Sequence, residues 1–258
     1  MLLVCGVLAR ATAQEPAPPA ASSADGAVSA PLSEPSKEFL RDILLLIKAK
    51  RYDEARQRLE PAVQQHPDSH VALFYLALTY HKQQRYAEAR PLYDRVAGLQ
   101  PDYKEVLMFH GWCLYYLGEP AAAQAKFSAF LATRPDYADA HFALGLIAFD
   151  DDRMEEARTR LQQAIDFGQA SRDVAMESKA RARLGDVLMR LADLPAARQE
   201  FERSVALNPD NYEVYFKLSR ALQRLGDEEG AARARRLHDE VRERVRPSEP
   251  PGERRPGE

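Results

Sequence analysis

The chain alternates between segments that are apolar nearly all round and segments that are apolar on one side only. The stretch KEVLMFHGWCLYYLGEPAAAQAKFSAFLATRP, residues 104–135, shows both kinds. Its first half gathers Leu107, Met108, Phe109, Trp112, Cys113, Leu114, Tyr115, Tyr116 and Leu117 into one helical run. A helix so patterned has no face suited to water and must be covered on more than one side. After the break Gly118-Glu119-Pro120, the second half is amphipathic from Ala121 to Ala132 and ends before Pro135. The pattern predicts a helix, a short turn and a second helix. The unit recurs, as Pro67, Pro101 and Pro135 follow one another at 34 residues, and Pro209 closes a further copy. Ala55, Ala89, Ala123 and Ala157 keep the same spacing, which slips by six residues and resumes at Ala197 and Ala231. Six units are predicted, at 36–69, 70–103, 104–137, 138–177, 178–211 and 212–246.

A small residue lets two helix backbones approach closely, which is why alanine or glycine returns wherever the paired helices cross. The first helices carry Leu76-Ala77, Leu144-Gly145 and Leu184-Gly185, with His110-Gly111 as a variant. The second helices carry the six alanines and, beyond them, a large residue: Leu59, Tyr93, Phe127, Leu161 and Phe201. In this repeat length and these residues the chain resembles the tetratricopeptide repeat family. The departures are Gln169, where the family has proline, and Arg235 and His238, where apolar residues are usual. The resemblance implies an all-α, right-handed superhelical solenoid of antiparallel helix pairs that binds protein or peptide partners. Some members of the family hold an acidic chaperone peptide with Lys, Asn and Arg on first helices. Here Leu44, Leu78, Trp112 and Leu146 stand where the asparagines would be, so that clamp is not expected.

Such a fold presents a concave side lined by first helices. Residues at i, i+4 and i+7, offset from the face that packs on the second helix, are expected there. In the second to fourth units they are Phe74, Leu78 and His81, then Met108, Trp112 and Tyr115 (with Tyr116), then Phe142, Leu146 and Phe149. In the last two units the same positions turn mixed: Ala182, Asp186 and Met189, then Phe216, Arg220 and Gln223. A contiguous aromatic and aliphatic lining marks a partner site for an apolar or aromatic peptide segment. The same side chains could instead pack between neighbouring first helices, or seat a second copy of the chain.

The remaining features narrow the function. The formal net charge of −3 over 258 residues supplies no basic excess for phosphates, so nucleic acid is not an expected partner. No GxSxG, GxGxxG, P-loop or HExxH sequence occurs, and an enzyme, a cofactor and a small-molecule substrate are not expected. His66 and His70 are separated by Pro67-Asp68-Ser69, a loop, and the triplet Asp150-Asp151-Asp152 lacks calcium-loop spacing, so no metal site is assigned. Cys113 reads as a small buried hydrophobe. Residues 1–13, apolar from Met1 to Ala9 and then Ala11-Thr12-Ala13, read as an export signal, implying a periplasmic protein; a cytoplasmic N-terminus is the alternative. Residues 14–35 read as a Pro/Ala/Ser-rich linker and 247–258 as a disordered tail. Ser36 is expected to cap the first helix, and Ser171 to cap a fifth-unit first helix lengthened by the six extra residues.

Overall fold

The computed structural model describes residues 35–101 and 103–246. The predicted leader, the linker up to Glu34 and the tail at 247–258 lie outside them. Among the described residues there are twelve α-helices and no strand. They are α1 (Lys37–Lys48), α2 (Tyr52–Gln65), α3 (His70–Lys82), α4 (Tyr86–Leu99), α5 (Lys104–Tyr116), α6 (Pro120–Leu131), α7 (Ala138–Asp150), α8 (Met154–Ala170), α9 (Val174–Arg190), α10 (Leu194–Leu207), α11 (Tyr212–Arg224) and α12 (Glu228–Val245).

Local chemistry sets the ends. Ser36 caps α1 by accepting from the Phe39 N–H at 3.2 Å, and Ser69 does the same for Ala72 at the start of α3. Asp173, Asp193 and Asp227 cap α9, α10 and α12 through Met176, Ala196 and Gly230. Each of these oxygens satisfies one backbone N–H that the first turn leaves without a partner. Pro120 opens α6 and Pro195 lies in the first turn of α10, where a missing N–H costs nothing. Within each pair the turn passes through one residue at positive φ: Lys50, Gln84, Gly118, Asp152, Ala192 and Gly226. The next N–H then reaches back into the preceding helix, as Arg51 does to the Leu46 carbonyl at 2.9 Å and Asp227 to Leu222 at 3.0 Å. This is the left-handed helix stop that consumes otherwise orphaned carbonyls.

The extra residues of the fourth and fifth units are shared between two helices. Both α8 and α9 have 17 residues, against 14 and 13 in α4 and α3. Ser171 does not begin α9; it ends α8, its hydroxyl donating to the Phe167 carbonyl at 2.8 Å. Arg172 takes φ 57° and Asp173 becomes the N-cap, because a carboxylate there reaches the Met176 N–H. The boundary between these units therefore falls at Asp173 rather than at Ser178, which lies inside α9.

The described residues form two compact units that divide at Pro135 and Asp136. In the first, α1 to α6 pack each on the next, and the first helices α1, α3 and α5 also touch in sequence. In the second, α7 to α12 repeat that arrangement, with α7, α9 and α11 in sequence. Ala55, Ala89, Ala123, Ala157, Ala197 and Ala231 are all fully enclosed at the helix crossings. Opposite them, the glycines take the large second-helix side chains. A Cβ on Gly111 would stand 2.7 Å from the Phe127 ring, and one on Gly185 2.5 Å from the Phe201 ring.

Candidate functional site

Two surfaces carry chemistry, one in each unit. In the first unit the aromatic residues of α3, α4 and α5 form a continuous set of ring contacts. Phe74 meets Tyr103 and Phe109 edge-on at 5.2 and 5.6 Å, and lies beside Tyr93. His81 meets the edges of Tyr86 and Phe109. Tyr86 stacks on Tyr116 at 4.7 Å and 18°, and Tyr116 stacks on Trp112 at 5.9 Å and 24°. Trp112 in turn meets Tyr115 and Phe127 edge-on.

These contacts separate core from surface. Phe74 and Leu78 are 2% and 1% exposed, so they belong to the interior and not to an open groove. The reason is that α3 lies between α1 and α5, and its offset face is taken up by Tyr103 and Phe109 from the next pair. Met108, Phe142 and Leu146 are likewise buried. His81, Trp112, Tyr115 and Phe149 are half-buried, and Tyr116 is 53% exposed. The surface that remains is thus narrower than the i, i+4, i+7 pattern gives: a ladder of rings from Tyr86 through Tyr116 to Trp112. Tyr86 escapes that pattern because it begins a second helix. Its signal in the sequence is Tyr52, which occupies the same place 34 residues earlier.

Burial shifts the titratable groups around this ladder away from their ordinary values. Burial lowers His81 to about 4 and His110 to about 4, so both rings are neutral near pH 7. Cys113 is fully enclosed, its thiol faces the Tyr86 carbonyl at 3.3 Å, and burial pushes it up to about 11. A thiol so placed is not a nucleophile at neutral pH. Among the described residues no cluster of three His, Cys, Asp or Glu could hold a metal ion, and no helix is long and apolar enough to cross a membrane.

In the second unit a cleft of about 240 Å³ opens between α7, α9 and α11 over the Phe201 ring of α10. Its lining comprises Phe149 and Met189 together with Asp186, Arg190, Lys217, Arg220 and Arg224. Of these, Phe149, Asp186, Met189 and Arg220 are visible in the sequence as concave positions. Arg190, Lys217 and Arg224 fall off that register and are brought in because long cationic side chains reach across to the neighbouring helix.

Comparison with known proteins accords with this architecture. Tetratricopeptide repeat profiles match residues 46–113, and then 110–173 and 182–236. The cytochrome c-type biogenesis protein CycH of Pseudomonas aeruginosa is 36% identical over 108 residues, 41% of this chain and 26% of that protein. Intraflagellar transport protein 70A of Bos taurus is 27% identical over 180 residues, 69% of this chain and 26% of its own length. The chain therefore spans about a quarter of the curated relatives it matches. Among solved structures, the type IV pilus biogenesis factor PilW superposes with a TM-score of 0.70 at 18% identity, covering 82% of this chain and 94% of that one. At that identity the likeness is one of fold. The repeat spacing, the enclosed crossing alanines and the matched profiles agree, and the chain belongs to the tetratricopeptide repeat family, whose members bind protein or peptide partners.

Proposed function

We propose that this chain is a non-catalytic adaptor that binds an apolar or aromatic peptide segment of a partner protein on the ring ladder of Tyr86, Tyr116 and Trp112. The observation that carries the reading is the exposure of Tyr116 at the centre of that ladder. Large rings held rigid by stacking offer contact area at little entropic cost, and Tyr and Trp dominate interface hot spots. Tyr116 is held by stacking on Tyr86 and Trp112, so a partner's side chain meets a surface that is already ordered. Charged residues flanking the ladder, such as Arg85 and Glu88, set encounter rate more than affinity. The setting we read is an exported, periplasmic one in envelope assembly, on the strength of the apolar start at Met1–Ala9 and the Ala11-Thr12-Ala13 sequence. CycH and PilW, named for biogenesis, are compatible with an assembly role.

Trp112 is the single tryptophan, so its emission reports on this surface directly. Peptides selected from a random library on the full chain should be rich in aromatic residues and should shift that emission. Trp112→Ala with Tyr116→Ala should weaken them by about tenfold or more, at unchanged helicity, since each hot-spot truncation costs about 2 kcal/mol or more. Equal binding by wild type and double variant removes the ladder as the site. Sedimentation across a concentration series separates this reading from self-association through the same rings, which would show a concentration-dependent mass without peptide.

A further inference from the structure

The first and last of the described helices present faces that the repeat register covers everywhere else. The second helices α2, α4, α8 and α10 each pack on the first helix that follows. Among the described residues α12 touches α11 alone, and no second helix packs ahead of α1. Apolar side chains mark both faces. Leu45 of α1 is 56% exposed, although Thr79 and Cys113, one and two repeats later, are fully enclosed. Phe216 of α11 is 49% exposed and stands as far before Ala231 as Phe74 does before Ala89. Phe74 is covered by Tyr103 and Phe109 of the next pair.

Charge replaces the apolar residues at the same two faces, with opposite sign. The second helices carry Leu59, Tyr93, Phe127, Leu161 and Phe201 four residues beyond their crossing alanines, and α12 carries Arg235 there, followed by Arg236. On α1, Asp42 stands where Leu76 and His110 stand later, and Glu38 where Ala72 and Val106 are buried. Asp42, Arg236 and Arg242 make no ion pair among the described residues, and Arg235 bonds only to the amide oxygen of Gln223. Asp239, also on α12, lies 3.0 Å from His238. Keeping an end soluble asks for polar groups; it does not ask that the two ends oppose each other in sign.

An internal repeat step shows which residues such faces bring together. His110 of α5 stacks on Tyr93 of α4 at 5.9 Å and lies 3.3 Å from Asp94. By register, Asp42 corresponds to His110, and Arg235 and Arg236 to Tyr93 and Asp94. Likewise Arg41 corresponds to Phe109, the residue that covers Phe74. We propose that the α12 face of one copy of this chain docks on the α1 face of a second copy in the register of a repeat step, with Asp42 against Arg235 and Arg236, Glu38 toward Arg242, and Arg41 over the Phe216 ring. Burial of Leu45 and Phe216 supplies attraction, and the charges fix the partner face and its register. The contact joins unlike surfaces, so each added copy leaves both kinds of face free unless the rotation closes a ring.

No residue of the ring ladder takes part. The test is sedimentation velocity of the full chain across a concentration series. The wild type should grow past the mass of a dimer, and raised salt should reduce that growth. Asp42→Arg alone, and Arg235→Glu with Arg236→Glu, should each sediment as a monomer. An equimolar mixture of these two variants should associate again, because each then offers the charge that the other lacks. Phe216→Ala should shift the association to higher concentration, whereas Trp112→Ala with Tyr116→Ala should leave it unchanged. The substituted end residues Asp42, Arg235, Arg236 and Phe216 are exposed, so circular dichroism of their variants should match the wild type. A wild type that stays monomeric throughout the series overturns the proposal. So do association that survives both charge reversals, a mixture that stays monomeric, and association lost in the ladder variant, which would put the contact on the rings.

Discussion

At Ala192 the backbone takes φ 61° in a turn position that two other pairs fill with Gly118 and Gly226, at 77° and 81°. A left-handed conformation brings Cβ against the following carbonyl and costs a non-glycine residue about 1–2 kcal/mol. Lys50, Gln84 and Asp152 bear the same strain, and Ala192 has no polar side chain to offset it. Ala192→Gly should therefore raise stability by about 0.5–1 kcal/mol, after the greater freedom of glycine in the unfolded chain is deducted. Gly226→Ala should lower it by a similar amount, and since a Cβ there meets nothing within 4 Å, the change isolates the backbone contribution. Urea midpoints for the two variants check this, and equal midpoints, or shifts in the reverse order, rule it out. The turn at Gly118 is legible in the sequence because glycine and the following Pro120 announce it. Its counterparts at Lys50, Gln84 and Ala192 have no local signal, because those residue types rarely take positive φ. Only the repeat spacing finds them.

The helices and their pairing were legible because amphipathic period, prolines and crossing alanines all pointed the same way. The outward face of the first helices was not. A helix apolar all round has two neighbours to satisfy, and pattern alone does not say which face the fold keeps; Phe74 and Leu78 went to the interior for that reason. Arg181 escaped for the opposite reason, since a charged residue in the polar-looking run ESKARAR reads as exposed. In α9 it is buried, donating to Glu177 at 2.8 and 2.9 Å and to Glu200 of α10 at 2.7 Å. Arg203 donates to the other Glu200 oxygen, and the hydroxyls of Ser178 and Ser204 bond reciprocally to each other's backbone carbonyls nearby. The pair α9–α10 is thus fixed in register by polar bonds inside its interface. Removing Arg181 leaves the partly buried Glu177 carboxylate without its cation and the buried Glu200 carboxylate with Arg203 alone. Arg181→Ala should cost about 3–5 kcal/mol, against about 0–1 kcal/mol for Arg198→Ala, whose pair with Glu202 is exposed. Comparable losses for the two variants, measured by thermal and urea unfolding, exclude a structural role for the network.

Repeat proteins are stable roughly as a sum of neighbouring units, so a local titration should register where it occurs. His81 and His110 both lie in the unit that ends at Pro135, and burial lowers each to about 4. Lys82 adds to the lowering at His81; at His110, Lys126 and Arg90 add to it, while Asp94, 3.3 Å from Nε2, opposes it. Below its ordinary value of about 6.5 the unfolded imidazole takes up a proton that the folded one refuses until about 4. The unfolded state then binds more protons, and stability falls as pH drops through that window and is complete above it. At pH 5 the two histidines together should cost roughly 2–4 kcal/mol, at about 1.4 kcal/mol for each pH unit of mismatch. Trp112 shares their unit and reports its unfolding by fluorescence. Its urea midpoint should fall between pH 7 and pH 5, and His110→Gln should remove about half of that fall even if the variant is less stable at pH 7. The Cys113 thiol, pushed up to about 11, contributes nothing in this range. A Trp112 midpoint that holds steady or rises on acidification would mean that the two rings are accessible to protons in the folded chain. The interior assigned to the face of α3 would then be open as well.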